Sequence, residues 1–183
     1  MGRVLWHFTV SLDGFIAGPD DSMEWAFDAF KDSGPNEVGD EVMNTTGAIL
    51  AGRGWYDGAG GRYGRVSGIY GGRWKGPVFV ITHRPDDAPD DPTVTWLSDG
   101  IESAVATGLE AAGEKNLEIF GANVARQVLA AGLLDEVVAH VAPVLLGDGI
   151  RLYDVPGGQR IDLEPTAFAE SGRVADLRFR PRV

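Results

Sequence analysis

The sequence predicts an α/β fold: a mostly parallel sheet with helices on both faces and an antiparallel hairpin at its C-terminal end. Two observations carry this expectation. Apolar, β-branched runs alternate with segments of helical periodicity along most of the chain, which demands crossover connections and therefore a parallel sheet. Two alternating runs around Gly172 then close the chain as a hairpin with one wet face.

The elements follow in order. Residues 3–12 (RVLWHFTVSL) read as a first strand, broken by Asp13-Gly14. A helix opens within 19–24 (PDDSME), where Asp21 or Ser22 is placed to cap it and Trp25, Phe27 and Phe30 supply apolar positions. Residues 37–46 form a second short helix. The run Ala48-Ile49-Leu50-Ala51 is a strand buried on both faces, ending at Gly52-Arg53-Gly54. From Asp57 to Gly76 the chain is glycine-rich, with cations and aromatics but little periodicity, and is expected to be a long mobile loop, serving as a lid or an assembly surface. Strands at 78–81 and near 94–97 flank the acidic, proline-rich stretch 85–92. Ile101, Val105, Leu109 and Ala112 form the apolar stripe of a helix over 101–113. Strand 117–120 meets Gly121, and a helix from Asn123 carries Val124, Val128 and Leu129 until Gly132 stops it. The next strand spans 136–146, with Pro143 at a bulge or a free N–H position.

Composition narrows the function classes. A chain of 183 residues suits a single domain over 1–183, and 44% hydrophobic with 23% charged residues is ordinary for a globular protein. With 27 acidic against 16 basic side chains, the net charge of −11 repels a phosphate backbone, so nucleic acid is not an expected partner. No apolar stretch approaches the roughly 20 residues of a membrane span, and the start lacks the pattern of a signal peptide. Cysteine is absent, which removes disulfides and thiolate chemistry, and the three histidines form no metal motif. A cytoplasmic protein is the expectation.

Four strand ends share one character: Ser11-Leu12-Asp13-Gly14, Gly52-Arg53-Gly54-Trp55, Thr82-His83-Arg84 and Gly121-Ala122-Asn123-Val124. In an open α/β sheet the carboxyl ends of strands build the ligand crevice, so these segments should converge. Glycine after a strand is also plain turn chemistry. Two of the four, however, add a cation suited to a phosphate, Arg53 and Arg84, and the helix start at Asn123 offers free N–H groups. The fingerprint G-x-G-x-x-G is missing, as are phosphate-loop and nucleophile-elbow motifs.

The ordered set SLDGFIA (11–17), AGRG (51–54), VFVITHRP (78–85), IFGANVARQVL (119–129), GLLDEV (132–137) and APVLLGDG (142–149) resembles the dihydrofolate reductase-like superfamily. Within it, the chain is most similar to the branch of the riboflavin biosynthesis reductase domain. The resemblance implies a three-layer dihydrofolate reductase-like fold, NADPH as cofactor, a homodimer, and reduction of a small heteroaromatic or carbonyl-type substrate of the pteridine or pyrimidine kind. A 5-amino-6-(5-phosphoribosylamino)uracil reductase is the nearest such activity. It further implies that Val10 belongs to the cofactor site, that Ile16 and Ala17 border the nicotinamide, and that Gly52, Arg53, Gly54 and Trp55 hold the 2′-phosphate and pyrophosphate. Thr82, His83 and Arg84 would lie by the adenine ribose, and Gly121, Ala122, Asn123, Val124 and Ala125 would wrap the pyrophosphate.

No residue stands out as the proton donor. Asp28 and Trp25 occupy territory comparable to the substrate-contacting helix of dihydrofolate reductases, although the spacing departs from it. Asp13 follows the first strand but belongs to a standard turn. His7 and His140 lie within strands, where satisfied polar positions are the commoner use. The alternative function is therefore a non-catalytic protein that binds a nucleotide-like ligand or drug.

Overall fold

The computed structural model describes residues 2–31 and 34–182. Its strands are β1 (Val4–Ser11), β2 (Phe15–Ala17), β3 (Thr46–Gly52), β4 (Val78–Ile81), β5 (Thr95–Leu97), β6 (Asn116–Phe120), β7 (Glu136–Ala142), β8 (Ile150–Arg151), β9 (Asp162–Ser171) and β10 (Val174–Arg182). Helices α1 (Glu24–Phe30), α2 (Glu37–Thr45), α3 (Arg53–Asp57), α4 (Ala59–Arg62), α5 (Ile101–Ala112) and α6 (Ala122–Ala130) lie between them. The main sheet has the order β5-β4-β3-β6-β1-β7-β10-β9. Every pairing from β5 to β7 is parallel, and β10 runs antiparallel to both β7 and β9. The predicted α/β class and the closing hairpin are both present.

Strand alternation sorts side chains into two layers. One face, with Trp6, Leu50, Leu117 and Ile119, is covered by α5 and α6 through Ala104, Val105, Val124 and Val128. The opposite face carries Leu5, Ile49, Val80 and Val138 and is covered by α2 and by the segment that follows α3. The central β3 and β6 are shielded on both sides, and Ile49, Leu50, Leu117 and Ile119 are fully buried. Burying each such side chain stabilises the fold by about 1.5–3 kcal/mol.

Four local expectations differ from the structure. The stretch 57–76 is a packed layer: α4 and a 3₁₀ segment, Arg65–Gly72, lead to Trp74, which is 5% exposed and donates its indole N–H to the Thr46 carbonyl at 3.1 Å. Few but large anchors, Ile69 and Trp74 among them, bury this glycine-rich segment against Ile49, Val78 and Val80. Helix α1 is capped at Met23 with no side-chain cap, and it turns the small Ala26 and Ala29 inward while Phe27 is exposed. Strand β7 ends at Ala142, one residue before Pro143, whose ring nitrogen has no hydrogen for a ladder. The small sheet β2-β8 was not foreseen, because strands of three and two residues carry no periodic signal.

Candidate active site

The carboxyl ends of β4, β3, β6 and β1 are consecutive in the sheet, and the chain leaving each one borders a single cavity of about 640 Å³. Ile16 and Ala17 of β2, Gly52, Arg53, Gly54 and Trp55, Thr82, His83 and Arg84, and Gly121, Ala122, Asn123 and Val124 all line it. The structure thus brings these residues, which are far apart in the sequence, to one cavity wall. Val10 and Ala125 lie outside the lining, because both point into the core, where they are buried.

The wall is built by local backbone chemistry. Gly121 caps α6 with φ +92°, a left-handed value that glycine adopts without a Cβ penalty. No side chain caps α6, and Gly121, Ala122 and Asn123 at that end of the helix line the cavity. Gly52 faces α6 so closely that a Cβ would come within 2.8 Å of Val124 Cγ2. Trp55 meets Phe120 edge to face at 5.4 Å between ring centres, closing the wall between these two turns.

The two cations differ. Arg53 donates to the Asp57 carboxylate at 2.7 Å and to the Asp87 carbonyl at 3.3 Å, and its guanidinium lies 5.3 Å from the Trp96 ring centre. Arg84 has a side chain 70% exposed, with the Asp87 carboxylate 3.9 Å away. Thr82 is buried, and its hydroxyl accepts from the Arg84 backbone N–H at 3.1 Å.

The three candidates for catalysis and substrate contact lie elsewhere. Asp13 accepts from the Ser11 hydroxyl at 2.6 Å and from the backbone N–H groups of Leu146 and Gly147 at 3.0 and 2.7 Å. Those bonds, the Ser11 hydroxyl first, hold its carboxyl down to about 2. Its carboxylate joins two turns and does not border the cavity. Asp28 is exposed on α1, and Trp25 donates its indole N–H to the Ser22 carbonyl while packing with Ala29, Ala142 and Val174. Neither lines the cavity.

What the sequence did not assign is a buried polar seam beneath the cavity. His7, on its floor, places Nε2 2.7 Å from His140 Nε2 and Nδ1 3.0 Å from Glu118 Oε1. Tyr70 donates its hydroxyl to Glu118 Oε1 at 2.8 Å, and the Thr46 hydroxyl donates to Glu118 Oε2 at 3.0 Å. His140 Nδ1 is 2.5 Å from Asp176 Oδ1, and Ser171 donates to Asp176 Oδ2. Glu118, His140 and Asp176 are all buried. Burial, with a charge on His7 adding to it and Asp176 opposing it, pushes the His140 imidazole down to about 4. Burial and the Glu118 carboxylate push the Tyr70 phenol well above its ordinary range, which keeps it a donor. A second chamber of about 160 Å³, lined by His7, Phe8, Thr9, Tyr70, Glu118 and Phe120, adjoins the first and shares four of these residues with it: His7, Phe8, Thr9 and Phe120.

Among the described residues no cluster of three or more His, Cys, Asp or Glu could hold a metal, and no helix is long and apolar enough to cross a membrane. The sequence profile of the RibD C-terminal domain matches residues 3–174. The uncharacterized protein YwjB of Bacillus subtilis is 28% identical over 151 residues, covering 82% of each chain. A putative riboflavin biosynthesis protein from Shewanella superposes with a TM-score of 0.79 at 19% identity, covering 99% of both chains. A diaminohydroxyphosphoribosylaminopyrimidine deaminase/5-amino-6-(5-phosphoribosylamino)uracil reductase from Thermotoga maritima gives 0.66 at 20% identity, and the present chain spans 57% of it. Dihydrofolate reductase from Enterococcus faecalis, in complex with NADP(H), gives 0.62 at 14% identity, covering 98% of that chain and all of this one. By its sequence profile the chain belongs to the RibD C-terminal domain family, on a fold it shares with dihydrofolate reductase.

Proposed function

We propose that the protein is an NADPH-dependent reductase of a small heteroaromatic or carbonyl-type substrate. The observation that carries this reading is the cavity itself. Four adjacent strand ends, the uncapped start of α6 and two arginines meet around a volume typical of small-molecule sites, which run from about 300 to 1,000 Å³. The residues fit a dinucleotide. N–H groups at the start of a nine-residue helix suit a pyrophosphate, and the glycine at its cap lets the phosphate approach the backbone. Arg84, largely exposed, and Arg53, fixed by Asp57, are the cations for a 2′-phosphate. Ile16 and Ala17 give an apolar border for a nicotinamide, whose bound form would supply hydride. The relatives that carry reductase or riboflavin-pathway names support the same reading. We extend it to the uracil reductase chemistry named for the Thermotoga relative and to a homodimer.

Titration with NADPH and with NADH, followed by fluorescence of the five tryptophans, tests the cofactor. Trp55 lines the cavity, so NADPH is expected to quench emission saturably, at lower concentration than NADH. Arg84→Ala should narrow the gap between the two cofactors about tenfold, the order expected for one exposed charge-assisted phosphate contact. Absence of binding by either cofactor overturns the reading. Tight binding of NADPH without oxidation by 5-amino-6-(5-phosphoribosylamino)uracil, 7,8-dihydrofolate or simple ketones would favour a ligand-binding protein on the same fold.

A further inference from the structure

The seam under the cavity has a proton count that its residues cannot meet in their ordinary states. Three close contacts run in series: Glu118 Oε1 to His7 Nδ1 at 3.0 Å, His7 Nε2 to His140 Nε2 at 2.7 Å, and His140 Nδ1 to Asp176 Oδ1 at 2.5 Å. Each needs a hydrogen between its two heteroatoms, or lone pairs face each other out of water. Two neutral imidazoles bring one hydrogen each, and two ionised carboxylates bring none. One contact is therefore left bare unless the quartet holds a further proton. The Tyr70 hydroxyl cannot supply it. Its single hydrogen goes to Glu118 Oε1 at 2.8 Å, and its oxygen lies 2.9 Å from the same His7 Nδ1.

The arrangement also says where the extra proton rests. Asp176, held by Ser171, takes the Nδ1 hydrogen of His140 and so fixes the tautomer that turns the His140 Nε2 lone pair toward His7. His140, deep in the sheet and beside Arg178, is a poor place for charge. His7 then donates from Nε2 to His140 and from Nδ1 to Glu118, as an imidazolium paired with a buried carboxylate, or passes the same proton to Glu118 Oε1. That proton lies at the wall of the smaller chamber, because His7, Tyr70 and Glu118 all line it.

We infer that the smaller chamber receives the reducible carbon–heteroatom double bond of the substrate, and that His7, charged through Glu118 and aligned by His140 and Asp176, donates the proton that completes its reduction. This deepens the reductase reading and rests on it. The substrate class is a flat ring bearing a C=N or C=O group, with Phe8 and Phe120 as its apolar borders. The π bond breaks as its carbon gains the hydride of NADPH and its heteroatom gains the proton held between His7 Nδ1 and Glu118 Oε1, and the carbon–heteroatom σ bond remains. One NADPH is oxidised per bond reduced, and the quartet takes one proton back from solvent. Glu118, His140 and Asp176 are positioning residues. The charged or titratable groups around His7 are Glu118 from β6, Tyr70 from the 3₁₀ segment, His140 from β7, and Asp176 and Arg178 from β10. Arg178 is in turn paired with Glu136 and with Glu41 of α2.

The test counts protons first, on the full chain without cofactor. Imidazole ¹⁵N and side-chain carboxyl ¹³C spectra at pH 7 are simple here, because the chain has three histidines and the exposed His83 serves as an internal reference. Three protons over the quartet are expected, with His7 doubly protonated or Glu118 protonated. Glu118→Gln should return His7 to a single proton, since the amide can donate to Nδ1 and meet the count. Two singly protonated rings with two ionised carboxylates in the wild-type chain would overturn the inference. The second arm follows NADPH oxidation with 5-amino-6-(5-phosphoribosylamino)uracil as the probe acceptor. His7→Gln should lower kcat by about a hundredfold or more, the usual range for losing a general acid. Asp176→Asn, which removes the negative charge facing His140 Nδ1, should shift the alkaline limb of the pH–rate profile. Circular dichroism melts confirm that each variant is folded. An unchanged rate and pH profile in folded His7→Gln overturns the inference. Failure of NADPH to bind appears in the fluorescence titration alone and removes the reductase reading and the donor role together, while the proton count is still decided by the spectra.

Discussion

Asp13 illustrates how a residue at the right end of a strand can serve structure. It follows β1, yet its carboxylate accepts from Ser11 Oγ and from two N–H groups of the turn 146–147, tying two loops on one side of the sheet. Its folded pKa is depressed to about 2 from an ordinary 3.8, so on acidification the unfolded chain takes up this proton first. The contribution is therefore present above about pH 3.8 and is lost as pH falls through about 2. Asp13→Asn keeps an acceptor oxygen but no charge, and its urea midpoint should depend less on pH than that of the wild type between those values. Parallel curves would show that the bonds contribute nothing through charge. His7, Glu118 and His140 are the opposite case. Each is a polar residue in a mostly apolar stretch of strand, LWHFTV, LEIF and VVAHV, which is the only signal the sequence offers. Their chemistry was illegible because it depends on register: Leu5 pairs with Glu118 and Thr9 with His140, and those pairings set the three side chains on one face.

At the scale of elements, the sequence located most strands and helices because their apolar periods are long enough to be unambiguous, as in α5 with its buried Val105 and Ala112. It failed where burial depends on a few anchors. Residues 57–76 look structureless since glycines outnumber apolar residues, but Ile69 and Trp74 insert into the layer over β3 and β4, and Tyr70 reaches Glu118. A detachable lid would leave the melting temperature unchanged on deletion; this segment should not. Trp74→Ala, removing a buried indole and its bond to the Thr46 carbonyl, should cost about 3–5 kcal/mol in urea denaturation. A loss below about 1 kcal/mol would mean that the segment is only loosely docked. Strand β6 marks a second limit. Its place between β3 and β1 joins the cavity's walls, and nothing in the sequence order announces it.

For the whole molecule, two opposite forces act on acidification, and magnitude decides between them. The chain carries a net −11 at pH 7 with a pI near 4.6, so lowering the pH toward 4.6 relieves self-repulsion and favours the compact state. That repulsion is spread over the surface and is screened within about 8 Å at physiological salt. The seam acts in the other direction and is shielded from salt by the sheet. The folded state holds His140 near 4, below its ordinary 6.5, so the unfolded chain binds this proton first and stability falls as pH drops from about 6.5 to about 4. Because His140 is 2% exposed, salt does not weaken this contribution as it weakens the surface repulsion. The seam should therefore win: at 0.15 M salt the urea midpoint is expected to fall between pH 6.5 and 4.5. In His140→Gln, which keeps a neutral polar side chain in the seam, most of that dependence should vanish and the relief of surface repulsion should emerge as a flat or rising curve. A wild-type midpoint that rises on acidification would show that the surface charge outweighs the buried imidazole.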